Sequence, residues 1–88
     1  MEWIESGGVR GNGFSIQTGF NFAIYREGSL AVQFTIKRGF RGQRHLVVVP
    51  SNAFGRWDGC TDENSPEDQR RMRDNFIAAM SFSGCLVE

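Results

Sequence analysis

Eighty-eight residues suit one domain, 1–88, built around a single core. Ten Lys+Arg offset ten Asp+Glu, so the formal net charge is zero, which excludes a uniformly basic nucleic-acid coat and an acidic tail. Eight Phe and eleven Gly in a chain that is 40% hydrophobic favour twisted sheet over an all-helical bundle.

The start, Met1-Glu2-Trp3-Ile4-Glu5, lacks the basic and apolar regions of a secretory signal. No run approaches the ~18 apolar residues of a membrane span, so the chain reads as cytoplasmic with no membrane partner. Gly11-Asn12-Gly13 resembles the opening of a dinucleotide fingerprint but precedes a strand, and so reads as a turn. Phe14-Ser15-Ile16 alternates as a half-buried strand does. Phe20, Phe22 and Ile24 then alternate with Asn21, Ala23 and Tyr25. Leu30, Val32, Phe34 and Ile36 share one face of a strand whose other face carries Ala31, Gln33, Thr35 and Lys37. Glu27-Gly28 between these two runs predicts a hairpin. Residues 38–44 break the pattern and read as a loop, followed by a β-branched strand, His45 to Val49, closed by Pro50. Residues 51–57 suit one short helical turn.

Ser65-Pro66-Glu67-Asp68 opens a helix: a capping hydroxyl, a proline where no N–H is needed, and two acids at the positive end of the dipole. Met72, Phe76, Ile77, Ala79 and Met80 recur at helical steps, and Arg70 with Asp74 forms an i,i+4 pair. Gly84 fits the stop, and Cys85-Leu86-Val87 a closing strand. The expectation is an α+β fold: a small antiparallel sheet of about four or five strands, with helix 66–82 packed on one face. The expected core is Phe20 or Phe22, Ile24, Val32, Phe34, Ile36, Leu46, Val48, Phe76, Ile77 and Met80.

Catalytic and metal signals are weak. His45 stands alone at the head of an apolar strand, and the sequence contains no hydrolase, Walker or zinc motif. Asp58, Asp62 and Glu63 lack the spacing and central glycine of a calcium loop, so no metal or other cofactor is expected. Cys60 and Cys85 read as two reduced thiols in a cytosolic setting, with a disulfide left open.

Charge is uneven along the chain. Residues 1–44 carry six bases and three acids, residues 45–88 four bases and seven acids. Two poles on one small domain can each steer an oppositely charged partner. The acidic pole, with Trp57, Asp58, Asp62, Glu63, Glu67 and Asp68, reads either as a solvated loop and helix start or as a surface for a basic protein. Trp57 is either core or an interface anchor. The basic stretch, with Lys37, Arg38, Phe40, Arg41 and Arg44, reads either as an unliganded loop or as a single-strand nucleic-acid site pairing cations with a stacking ring.

The C-terminal half adds a resemblance. Val47-Val48-Val49-Pro50-Ser51, Arg56-Trp57-Asp58, Ser65-Pro66-Glu67-Asp68-Gln69-Arg70-Arg71-Met72, Asn75-Phe76, Ala78-Ala79 and Leu86-Val87-Glu88 after a glycine-ended helix together resemble small immunity proteins of bacterial polymorphic toxin and contact-dependent inhibition systems. The resemblance covers residues 45–88. It implies no enzymatic activity, a cytoplasmic location and tight binding to a cognate toxin, with no shared binding residues to carry over. The alternative is a single-stranded nucleic-acid-binding domain using loop 37–44. A second copy pairing at a free sheet edge is a third possibility.

Overall fold

The computed structural model describes residues 1–4 and 7–88; Glu5, counted above among the N-terminal acids, and Ser6 lie outside the described residues. Turn chemistry drives the first half. β1 (Glu2–Ile4), β2 (Gly8–Gly11), β3 (Phe14–Thr18), β4 (Phe22–Glu27) and β5 (Leu30–Thr35) form an antiparallel meander in chain order. The Gly11-Asn12-Gly13 stretch is indeed the turn between β2 and β3, and the Glu27-Gly28 hairpin joins β4 to β5.

Register carries one row of side chains across all five strands: Trp3, Val9, Ile16, Tyr25 and Val32. Four of the five are buried on the core side. This row corrects the reading of β4. Its partners Ile16 and Val32 set the phase, so Ala23 and Tyr25 turn inward while Phe22 and Ile24 are half-buried on the outer face. Phe20, at the turn before β4, is 84% exposed. The face assigned to β5 holds: Val32, Phe34 and Ile36 are buried.

The chain then bends. Ile36 lies between β5 and β6 (Lys37–Arg41), and its N–H donates to the Asn21 carbonyl 3.0 Å away. β6 begins a second sheet, in which it pairs antiparallel with β7 (Arg44–Val48). The expected loop 38–44 is therefore mostly hairpin, turning at Gly42 with φ +64°. Glycine supplies that left-handed turn, and Arg41 pairs with Arg44 across it.

Helix α1 (Pro66–Phe82) matches its expected bounds. Ser65 Oγ accepts from the Asp68 N–H at 3.1 Å, and Pro66 occupies the first turn. Met72, Phe76, Ala79 and Met80 are buried, but Ile77 is 39% exposed, one helical step beyond the buried stripe. The helical ion pair is Asp68–Arg71; among the described residues Arg70 and Asp74 form none. Gly84, φ +85°, ends the helix, and β8 (Cys85–Val87) joins the second sheet parallel to β7. The helix is thus the crossover of a single β–α–β unit.

The fold is α+β with one C-terminal helix, as expected, but with three strands in a second sheet beside the five-stranded one. In β7 the buried valines are Val47 and, just past the strand, Val49; Leu46 is half-buried and Val48 exposed, the reverse of the expected phase. A run of β-branched residues carries no alternation to fix its phase. Residues 50–55 form two successive tight turns, Ala53 N–H to Pro50 O and Gly55 N–H to Asn52 O, rather than a helical turn. Phe54 completes the core, edge-on to Tyr25 and Phe34.

Candidate functional site

The six acidic-pole residues divide into clamps and free groups. Trp57 is only 8% exposed and stacks beside Tyr25 at 6.1 Å, so it belongs to the core and is not a surface anchor. Asp58 docks on the open side of β5: its N–H donates to Ala31 O and its Oδ2 accepts from the Gln33 N–H, both at 2.9 Å. One residue thereby covers the edge of the five-stranded sheet. Asp68 accepts from Arg71 Nη1 at 2.6 Å, and this bond holds its carboxyl below the usual carboxylate range.

Asp62, Glu63 and Glu67 remain exposed. Glu63 has one distant ion-pair partner, Arg56 at 3.9 Å. The loop that carries Asp62 and Glu63 is fastened at both ends. Asp58 holds one end to β5. At the other, Asn64 N–H donates to Gly55 O at 2.7 Å, Asn64 Nδ2 donates to Phe54 O at 3.0 Å, and Gln69 Nε2 donates to Asn64 O at 2.8 Å. Between this loop and β5 runs an open groove of about 410 Å³, lined among others by Gln33, Phe34, Asn52, Arg56 and Glu63. Glu63 in its lining and Asp62 next to it ride on this fastened backbone, which needs little ordering on contact.

The basic stretch is less unified. Arg38 is a clamp: its Nε and Nη2 donate to Phe20 O at 3.0 Å and Gly19 O at 2.9 Å, tying β6 to the β3–β4 turn. Arg41 is ion-paired with Glu88, across the central strand β7. Among the described residues, Lys37 and Arg44 have no acidic partner. Strand alternation places Lys37 and Arg41 on one face, and Arg38 and Phe40 on the other. Phe40 is exposed and rests on the exposed His45 with ring centres 4.9 Å apart. Of the cations only Arg38, already engaged at Gly19 and Phe20, shares a face with the ring.

Nor are the two charge poles cleanly separated in space. Arg71 reaches Glu27, and Arg41 reaches Glu88, so each half of the sequence neutralises part of the other.

A polar network that starts at the buried Tyr25 and runs out to the surface at Arg71 escaped the sequence reading. Tyr25 OH donates to Glu27 Oε2 at 2.5 Å and accepts from Asn75 Nδ2 at 2.9 Å; Arg71 then grips both Glu27 oxygens, at 2.8 and 3.2 Å. It joins sheet to helix across 44 to 50 positions of sequence, a separation at which no local motif exists. Burial pushes the Tyr25 phenol well above its usual range. Cys60 and Cys85 are both free thiols. Among the described residues no cluster of three His, Cys, Asp or Glu could hold a metal ion, and no helix is long and apolar enough to cross a membrane.

Comparison with protein families, curated proteins and solved structures found no match.

The site therefore rests on geometry: a groove beside a protected sheet edge, lined by Glu63 and Arg56, with Asp62 exposed on the same fastened loop and Glu67 following at the helix start. Such an arrangement can attract and orient cationic side chains without distorting the sheet beneath.

Proposed function

We propose that this chain is a non-catalytic protein-binding domain, an immunity protein that neutralises a cognate bacterial toxin by covering a basic surface of it. The observation that carries the reading is the set of exposed acids: Asp62 and Glu63 on a loop clamped to β5 and to the helix start, and Glu67 in the first turn of the helix. Fixed anions suit a partner rich in Arg or Lys, because charge complementarity speeds encounter and sets orientation. Trp57, Asp58 and Asp68 support that surface from beneath or beside it instead of forming the contact.

The test is co-expression with the product of the neighbouring gene, followed by growth assay and co-purification. A complex that rescues growth, and that weakens at least tenfold in the triple variant Asp62→Asn, Glu63→Gln, Glu67→Gln, is the expected result. Absence of both complex and rescue removes the proposal.

The nucleic-acid reading has less behind it, since Arg38 and Arg41 are engaged and Phe40 faces away from Lys37. Titration of a labelled single-stranded oligonucleotide at low salt checks it. Salt-sensitive binding lost when Arg38, Arg41 and Arg44 become Ala would revive it.

A further inference from the structure

The outer face of the three-stranded sheet carries a short apolar stripe set among charged residues. Leu46 and Val48 on β7 point the same way, Leu46 lies beside Leu86 of β8, and Gly39 opposite Leu46 adds no side chain. A groove of about 280 Å³ opens at one end of this stripe, lined by Thr35, Lys37, Val48, Val49 and Pro50. Val48, 38% exposed, forms its floor beside the aliphatic stem of Lys37. The charge around the stripe is mainly cationic. Lys37 stands at one end and Arg41 and Arg44 at the other, while Glu88, held alongside Val48 by its N–H bond to Val47 O, is ion-paired with Arg41.

This groove adjoins the acidic one. Both are built on β5 and on the connection after β7: Gln33, Phe34 and Asn52 line the acidic groove, and Thr35, Val49 and Pro50 the apolar one. On β5 the two linings are contiguous, Phe34 in one and Thr35 in the other. A short extended segment can reach from one to the other.

We propose that the Thr35–Lys37–Val48–Pro50 groove is a second docking site, and that its occupant is an extended segment of the partner protein bearing an apolar side chain next to a carboxylate. The apolar group fills the groove over Val48 and the carboxylate meets Lys37. In its claim that one partner spans both grooves, the proposal rests on the reading of the acidic loop as a protein-binding surface. It adds the partner's pattern: a cationic residue opposite Glu63, then an apolar–acidic pair a few residues along.

Amide NMR titration of the whole protein tests this with capped hexapeptides. Alternating Leu-Glu should shift Thr35, Lys37 and Val48. Val48→Asp and Lys37→Glu should each weaken that binding at least tenfold, while Lys37→Arg keeps it within about twofold. The spectrum of each variant reports its fold directly. No shift at these residues overturns the proposal, as does an equal response to alternating Leu-Lys or Ser-Glu. Concentration-dependent shifts at the same residues without peptide would assign the groove to a second copy, and tighter binding of a single-stranded oligonucleotide there would assign it to nucleic acid; either overturns it too. Alternating Ser-Lys reads the other groove through Gln33, Asn52 and Gly55. Silence there beside a positive Leu-Glu result removes the acidic-groove reading alone, and the converse result removes only the present proposal.

Discussion

Asp58→Ala leaves the Asp58 N–H bond to Ala31 O in place and removes only the acceptor of the Gln33 N–H. Hydrogen bonds to charged groups contribute about 1.5–3 kcal/mol, but this one is exposed and water can replace the carboxylate, so about 1 kcal/mol is expected. In an 88-residue domain that lowers Tm by roughly 4–8 °C. Asp58→Asn keeps a neutral acceptor and should recover about half of the loss. Asp62→Ala, on the same loop but with its side chain in solvent, should stay within about 0.5 kcal/mol of the parent. Thermal and urea unfolding followed by circular dichroism measure all three. Equal losses for the Asp58 and Asp62 variants, or an unchanged Asp58→Ala, would refute the division of the acidic pole into clamps and free charges.

Phe76→Ala empties a site fully buried against Phe34 and Phe54 and should cost about 3–5 kcal/mol in urea unfolding, whereas Ile77→Ala on the exposed flank should cost under about 1 kcal/mol. Tyr25→Phe deprives Asn75 Nδ2 of its acceptor and Glu27 Oε2 of one of its two donors, for a loss of about 1–3 kcal/mol by the same measurement. Because burial raises the Tyr25 phenol, its contribution to stability is complete below pH 10 and falls as pH rises through the folded value; an alkaline stability profile should flatten in Tyr25→Phe. Asp68 is shifted the other way by Arg71, so its contribution is present above the ordinary carboxylate range and lost as pH falls through its lowered value; Asp68→Asn should blunt the acid limb of the same profile.

What the sequence made legible was whatever is written locally. The helix from Pro66 to Phe82 followed from a capping serine, an N-terminal proline and a closing glycine, and β5 from an unbroken alternation. The phase of β4 was not legible, because both of its faces are apolar and Ile16 and Val32 on neighbouring strands decide which turns inward. The 37–44 hairpin was hidden by its charge: Lys37, Arg38, Arg41 and Arg44 look like loop residues, and only pairing across Gly42 makes them strands. At the candidate site, composition grouped the acids, but nothing local separates Asp58, bonded 25 positions away, from Asp62, which is exposed on the same loop. Trp57 carried two readings on composition, and only the ring contact with Tyr25 selects the core.

The parallel pairing of β7 with β8 sets the order of assembly. Leu46 meets Leu86 only after the chain has looped through the entire helix, while Glu27 meets Leu30 across a two-residue turn. Ring closure grows costlier with the logarithm of loop length, so the meander should zip early from neighbouring turns and the smaller sheet should close last, once the helix has docked. The pairing that completes the sheet behind Val48 is then the last to form, after the rate-limiting step, and substitutions in β8 should slow refolding less than they speed unfolding.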